Sequence, residues 1–505
     1  MSDPLSHLRD RLAPIHDLNA SAAVLEWDQE TYLPPAAHSA RANQVATLRT
    51  LAHQMLTSKE TAQAVADALP LLSDLEARDD DQSIFDAGLI RETARDFEYA
   101  QKLSPDFVSR QATAIGLAKE AWRHARNTDD FDHYAPHLET IVALNRELAD
   151  LLGYTEHPYD ALLDQFEPGA TTAQLQQVFG DLRERLVPIV QTLSEREQPG
   201  LGAVTGDFLH QAQWDLGMKV LTDIGFDLSR GRQDASTHPF STTFDRTDVR
   251  ITTRVDPHYF PSAFSSTMHE AGHGMYEQGV DPRTARTPLA EGTSLGMHES
   301  QSRLWENLVG RSRPFWSHYW PQTQVAFPDA LSGVTLDDFY AAMNHVAPSP
   351  IRVDADEVTY NLHIMLRMEL EIALIEGTLA VADLPRAWND AMENYLGIRP
   401  ATNAEGVLQD VHWSLGTIGY FPTYALGNLM SAMLWDACDR DLTPAHGSLD
   451  EQMARGEFGP LLDWMRTHVH RWGRAKSADR ILRDATGGPL TAEPWLAYIA
   501  RKYDV

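Results

Sequence analysis

Apolar residues recur every three or four positions along most of this chain, the spacing of amphipathic helices. "SHLRDRLAPIHDLNASAAVLEWDQETYL" opens a long N-terminal region of this kind. It continues through "SARANQVATLRTLAHQMLTSKETAQAVADAL" and "RETARDFEYAQKL". Leu, Ala, Glu, Gln and Arg fill these segments, and the breaks fall at Pro or Gly. One stretch departs from the pattern. "HPFSTTFDRTDVRITTRVD", from His238 to Asp256, is rich in Thr, Val and Phe, alternates in "DVRITTRV", and has a polar turn near Asp245-Arg246-Thr247. It predicts a small β-ribbon just ahead of a histidine motif. No Gly/Ser-rich or Pro-rich linker interrupts the chain, and no repeat is present. The expectation is one mainly α-helical unit, two lobes around a cleft, with a minor sheet at its centre.

Composition narrows the function classes. The 505 residues are 43% hydrophobic and include 12 Trp, enough for a large core. The formal net charge is −30, spread along the chain, which repels phosphate backbones and argues against nucleic acid as a partner. A lone cysteine, Cys438, leaves no intrachain disulfide and no Cys-based zinc site. The start, "MSDPLSHLRDRLAPIHDL", is polar and lacks an apolar run of signal-peptide length. No apolar stretch approaches the roughly 20 residues of a membrane span. A soluble, cytoplasmic protein is expected.

The chemistry concentrates in "MHEAGHGMYEQG". His269 and His273 are four residues apart, so on a helix they lie about 40° apart, one turn up, and both can reach one ion. Glu270 is rotated about 100° from His269, beside such an ion without ligating it, where it can take a proton from water. A helix start at Pro261-Ser262 and a stop at Gly279 frame the motif. Two histidines sharing a helix face could be ordinary polar positions. Downstream, however, "TSLGMHESQSRLWENLVG" reads as a second helix capped at Thr293 or Ser294 and stopped at Gly310. It carries Glu299, the carboxylate a two-histidine site needs as its third protein ligand, with the fourth position open to water. His298 is a rival ligand but points about 100° away from Glu299. Ala271 and Gly272 keep the first helix narrow, suiting close approach of substrate or another helix.

These residues sit in a longer series: "HPF" at His238, "DVRIT" at Asp248, "HEAGH" at His269, "HESQ" at His298, "IRVDADEVTY" at Ile351, "GVLQDVHW" at Gly406 and "GYFPTY" at Gly419. With "WDQETYLPP" at Trp27 and "YDALLDQFEPG" at Tyr159, the series resembles the thermostable metallocarboxypeptidases typified by Taq carboxypeptidase, nearly end to end. The resemblance implies a mainly helical, two-lobed fold around a deep groove, as in the angiotensin-converting enzyme and neurolysin group, with a small sheet near the active site. It implies one catalytic domain over 1–505, with a helical lobe over roughly 1–200 and the metal and groove region over 201–505. The implied activity is removal of single C-terminal residues from peptides with broad specificity. The implied cofactor is one zinc or cobalt ion per subunit, in a homodimer. In some relatives an Asp four residues after the ligand Glu orients a histidine; here that place holds Arg303. A carboxylate or carbonyl behind each imidazole is expected, but the sequence does not name it.

Roles follow for the remaining candidates. His269, His273 and Glu299 are the expected ligands and Glu270 the general base. By analogy with the angiotensin-converting enzyme group, His412 with Tyr420 or Tyr424 supplies donors to the developing oxyanion; each aromatic could instead fill core space with its polar tip bonded. An exopeptidase also needs a cation for the substrate's carboxylate, and the planar fork of arginine suits it. Arg352 is the first choice and Arg250 the second; Arg352 could instead pair with Asp354, Asp356 or Glu357. His238, extended ahead of Pro239, could stand beside substrate or be structural. An oligopeptidase cutting internal bonds would share the metal site without needing the clamp. A binding-only scaffold would have no use for Glu270.

Overall fold

The computed structural model describes residues 3–198 and 200–505; Met1 and Ser2, the first residues of the polar N-terminal stretch, lie outside them. Two compact units form. One gathers the stretch ending at Gln101 with Gly200–Met343 and Leu434–Pro489; the other gathers Lys102–Pro199, Asn344–Met433 and Leu490–Val505. Each unit draws on three separate stretches of chain. Local chemistry starts the helices. Asp3 accepts a hydrogen bond from Ser6 N ahead of Pro4–Thr31, and Thr171 and Gln174 close a capping box ahead of Thr172–Glu195.

In the first unit the expected ribbon is present as β2 (Ser241–Asp245) and β3 (Asp248–Thr253), antiparallel, with Asp245 accepting from Thr247 N at the turn. The sequence did not announce a third strand, β1 (Gly231–Ala235), which pairs parallel to β3 and makes the order β1-β3-β2. Its "GRQDA" holds no β-branched or aromatic residue, so pairing with β3 rather than propensity makes it a strand. The inner residues Val249 and Ile251 of β3 are fully buried. They lie against helix α1 (Phe260–Gly279), where a Cβ on Gly274 would meet Ile251 Cγ2 at 3.2 Å. At the start of α1, Phe260 packs among Phe208, Phe264, Trp316, Phe327 and Phe339 at ring separations of 5.4–5.9 Å. Each such buried ring contributes about 2 kcal/mol, anchoring one end of α1.

Helix α2 (Leu295–Arg303) opens on Ser294, which accepts from Met297 N. It runs on as a π-helical turn over Leu304–Val309, ahead of Gly310. α1 and α2 meet at Gly272. A Cβ there would lie 2.4 Å from Gln301 O and 2.6 Å from Ser302 Cα, so only glycine admits the second backbone so closely.

The second unit is organised on helix α3 (Tyr360–Glu376), which is buried almost all round, as Leu362, Ile364 and Leu366 show. Its C-terminal stretch is tied down by Glu357, which accepts from Tyr498 and Tyr503 hydroxyls and pairs with Lys502. No helix among the described residues is long and apolar enough to cross a membrane.

Candidate metal centre

On α1, His269 and His273 present their rings one turn apart with centroids 4.9 Å from each other and planes at 83°. Glu299 on α2 completes the group. Its Oε2 lies 3.7 Å from His269 Nε2 and 3.5 Å from His273 Nε2, and one ligand atom from each residue falls within 4.8 Å of the others. Tetrahedral ligands with bonds of 2.0–2.2 Å stand about 3.4 Å apart, so three donors of this kind fit a divalent ion. The close contact at Gly272 sets this spacing, because it fixes how near α2 comes to the two histidines.

Each imidazole is braced from behind. His269 Nδ1 lies 2.9 Å from Glu306 Oε2. Glu306 follows Glu299 by seven residues, roughly two turns, and lies in the π-helical turn that carries it back beside His269. His273 Nδ1 lies 2.6 Å from His298 Nδ1, and His298 Nε2 lies 2.7 Å from Glu277 Oε1. If Glu277 accepts from His298 Nε2–H, His298 Nδ1 is an acceptor and His273 Nδ1 donates to it. With each Nδ1 engaged in this way, the Nε2 edges of His269 and His273 are the ones that face Glu299. His298, the rival ligand, thus braces His273. Arg303, which stands where some relatives have an orienting Asp, donates to Glu299 Oε1 (2.6 Å) and Glu306 Oε2 (3.2 Å).

These contacts polarise the ionisable groups. Burial would lower His269, but Glu299, Glu306 and Glu270 carry it up to about 9. Burial takes His273 down to about 3. Burial would raise Glu306, yet Arg303, His269 and Arg311 hold it at about 2; Glu299 is likewise held well below the usual carboxylate range by Arg303 and the two histidines. Glu270 is different. It is 6% exposed, and burial pushes it up to about 7, the range of a group that takes and returns protons at neutral pH.

Of the other candidates, Arg250 on β3 and His238 belong to the same unit. Arg250 gives Nε and Nη2 to Asp248 and lies over the Trp27 and Phe244 rings at 4.3 and 4.9 Å. His238 is exposed on the loop between β1 and β2, its carbonyl accepting from Ser236. The second unit brings together Arg352, His412, Tyr420 and Tyr424. His412 Nε2 lies 3.3 Å from the Tyr424 hydroxyl, the His412 and Tyr420 rings are 5.4 Å apart, and the Arg352 guanidinium lies 5.2 Å from the Tyr424 ring. Burial lowers His412 to about 4, which leaves it neutral. Arg352 does form an ion pair, but with Asp410 rather than Asp354, Asp356 or Glu357. Its Nε and Nη2 donate to Asp410 Oδ1 and its Nη1 to the Tyr360 hydroxyl. Arg367, which the sequence reading passed over, holds Asp410 Oδ2 from the other side.

The family model of carboxypeptidase Taq (M32) metallopeptidases matches residues 7–503. Carboxypeptidase 1 of Bacillus subtilis is 38% identical over 98% of this chain and 97% of its own. Thermostable carboxypeptidase 1 of Thermus thermophilus is 39% identical over 96% and 95%. Among solved structures, the M32 carboxypeptidase of Deinococcus radiodurans superposes with a TM-score of 0.93 at 39% identity over 99% of this chain and 98% of that one. A Pyrococcus furiosus carboxypeptidase does so with a TM-score of 0.94 at 36% identity over 100% and 99%. The mainly helical fold is therefore that of a metallocarboxypeptidase, and the chain belongs to the carboxypeptidase Taq (M32) family.

Proposed function

We propose that this protein removes single residues from the C-terminal ends of peptides, with His269, His273 and Glu299 holding one divalent ion. The convergence of these three donors beside the buried Glu270, in a member of the M32 family, carries the reading. Imidazole and carboxylate donors suit zinc or cobalt. When bound, the ion lowers the pKa of water and polarises the scissile carbonyl. Glu270 takes the proton from the attacking water and returns it to the leaving amine, a role its position near neutrality favours.

In the second unit, neutral His412 and the hydroxyls of Tyr420 and Tyr424 are the donor candidates for the developing oxyanion. Arg352 remains the first choice for the substrate carboxylate, with Arg250 second. Asp410 takes the Nε–Nη2 edge of Arg352 and Tyr360 one Nη1 proton. With five N–H groups in all, one N–H on each terminal nitrogen is left to grip a carboxylate end-on. We extend the reading to a cytoplasmic homodimer acting as one catalytic domain over 1–505, with peptides bearing a free C-terminus as substrates and His238 as a further substrate contact.

The test is a mass-spectrometric time course on one peptide, with its C-terminus free or amidated, after addition of Zn²⁺ or Co²⁺. A ladder of single-residue losses from the free peptide, with the amide spared, is expected. Internal cuts in both peptides would replace the exopeptidase reading with an oligopeptidase and leave Arg352 without its role.

A further inference from the structure

Helix α3 is packed with Leu, Ile and Met, yet His363, Arg367 and Glu371 recur on it at four-residue spacing, and all three are fully buried. That spacing puts them on one stripe of the helix. Two of them grip the same distant segment. Arg367 donates from Nε to Asp410 Oδ2 at 2.8 Å, its guanidinium 5.3 Å from the Phe421 ring. One turn further on, Glu371 accepts three hydrogen bonds: from the Tyr159 hydroxyl (2.6 Å), Trp413 Nε1 (2.8 Å) and Gly419 N (3.1 Å). Asp410, Trp413 and Gly419 are thus fixed points, and His412 and Tyr420 are their immediate neighbours in the chain. Gly419 strengthens the last point. Its φ is +97°, and a Cβ there would meet the Leu162 backbone at 2.8 Å, so the segment is seated where only glycine fits.

Burying a carboxylate and a guanidinium costs several kcal/mol each, and well-packed apolar residues can hold such a helix equally well. Charged groups here supply direction, which apolar contacts do not. The geometry points to Glu371, assisted by Arg367, as a positioning residue that acts through Trp413 and Gly419 to set His412 and Tyr420 for the reaction. This rests on the proposed roles of those two residues.

The test is steady-state kinetics on the full-length, metal-loaded protein, with ion content and circular dichroism recorded for each variant. Glu371→Gln keeps the side chain's size but puts an amide N–H where a donor needs an acceptor. It is expected to lower kcat by about 10- to 100-fold, the effect of a displacement near 1 Å, at unchanged KM and ion content. Trp413→Phe removes one donor while sparing the carboxylate, and is expected to lower kcat in the same direction. A wild-type kcat in Glu371→Gln, or in Trp413→Phe should Glu371→Gln fail to fold, overturns the inference. His412→Ala and Tyr420→Phe tell the two readings apart. If both keep wild-type kcat, the roles of His412 and Tyr420 fall; if they lose it while Glu371→Gln does not, only the positioning role falls.

Discussion

His269 Nδ1 stands 2.9 Å from Glu306 Oε2, and this contact decides which nitrogen of the ring is left for an ion. A ligand histidine braced by a carboxylate is fixed in tautomer and orientation and made more basic. Glu306→Gln should therefore weaken metal binding by about 10- to 100-fold, read by competition with a chromogenic chelator. At saturating metal most of the activity should return. An unchanged metal affinity would show that the contact is packing and not support.

Glu270 sits beside the same ring without joining the ligand group, so its replacement should separate chemistry from binding. Glu270→Gln is expected to retain the ion at wild-type stoichiometry while kcat falls by about 10²- to 10⁴-fold. Loss of the ion in this variant would instead place Glu270 among the ligands.

Much of this centre could be read from the chain because its parts are local. α1 and α2 begin and end at Pro, Ser and Gly signals, and the i, i+4 histidines with the neighbouring Glu270 need only helical geometry. The bracing carboxylate was also within reach, since Glu306 follows Glu299 by roughly two turns. What stayed hidden depends on tertiary contact. β1 has no strand propensity of its own and exists by pairing with β3. Arg352 has three acidic residues within five positions, yet its partner, Asp410, is 58 residues away. His363, Arg367 and Glu371 share a stripe of a Leu-, Ile- and Met-rich helix, and only packing shows what that stripe meets.

Gly272 sets two effects against each other. In a free helix Gly→Ala stabilises by about 1 kcal/mol. Here the new Cβ would stand 2.4 Å from Gln301 O and 2.6 Å from Ser302 Cα, both backbone atoms that cannot swing aside. Overpacking of this kind costs about 1–3 kcal/mol, so the net effect of Gly272→Ala should be a lower melting temperature. Because α2 carries Glu299, metal affinity should fall with it. A variant more stable than wild type would mean that the helices separate freely and that Glu299 is not held by their contact.

Asp410 lies between Arg352 and Arg367 with its side chain 10% exposed, Oδ1 2.8 Å from Arg352 Nη2 and Oδ2 2.6 Å from Arg367 Nη2. Burial would raise its pKa, but the two guanidiniums and His412 hold it well below the usual carboxylate range. Asp410→Asn leaves two buried cations without a counter-charge, and breaking such a pair costs about 3–5 kcal/mol. The sign with pH follows from the depressed value. In the folded protein Asp410 stays ionised after an unfolded chain would have taken up a proton, so its stabilisation is fully present above the unfolded value of about 4 and drains away as pH falls towards the folded one. The Asn variant has nothing to titrate at this position. Urea midpoints should therefore lie well apart at pH 7, stay apart down to about pH 5, and draw together below pH 4. Midpoints that coincide at pH 7, or a gap that does not change on acidification, would show that Asp410 does not hold the two arginines by charge.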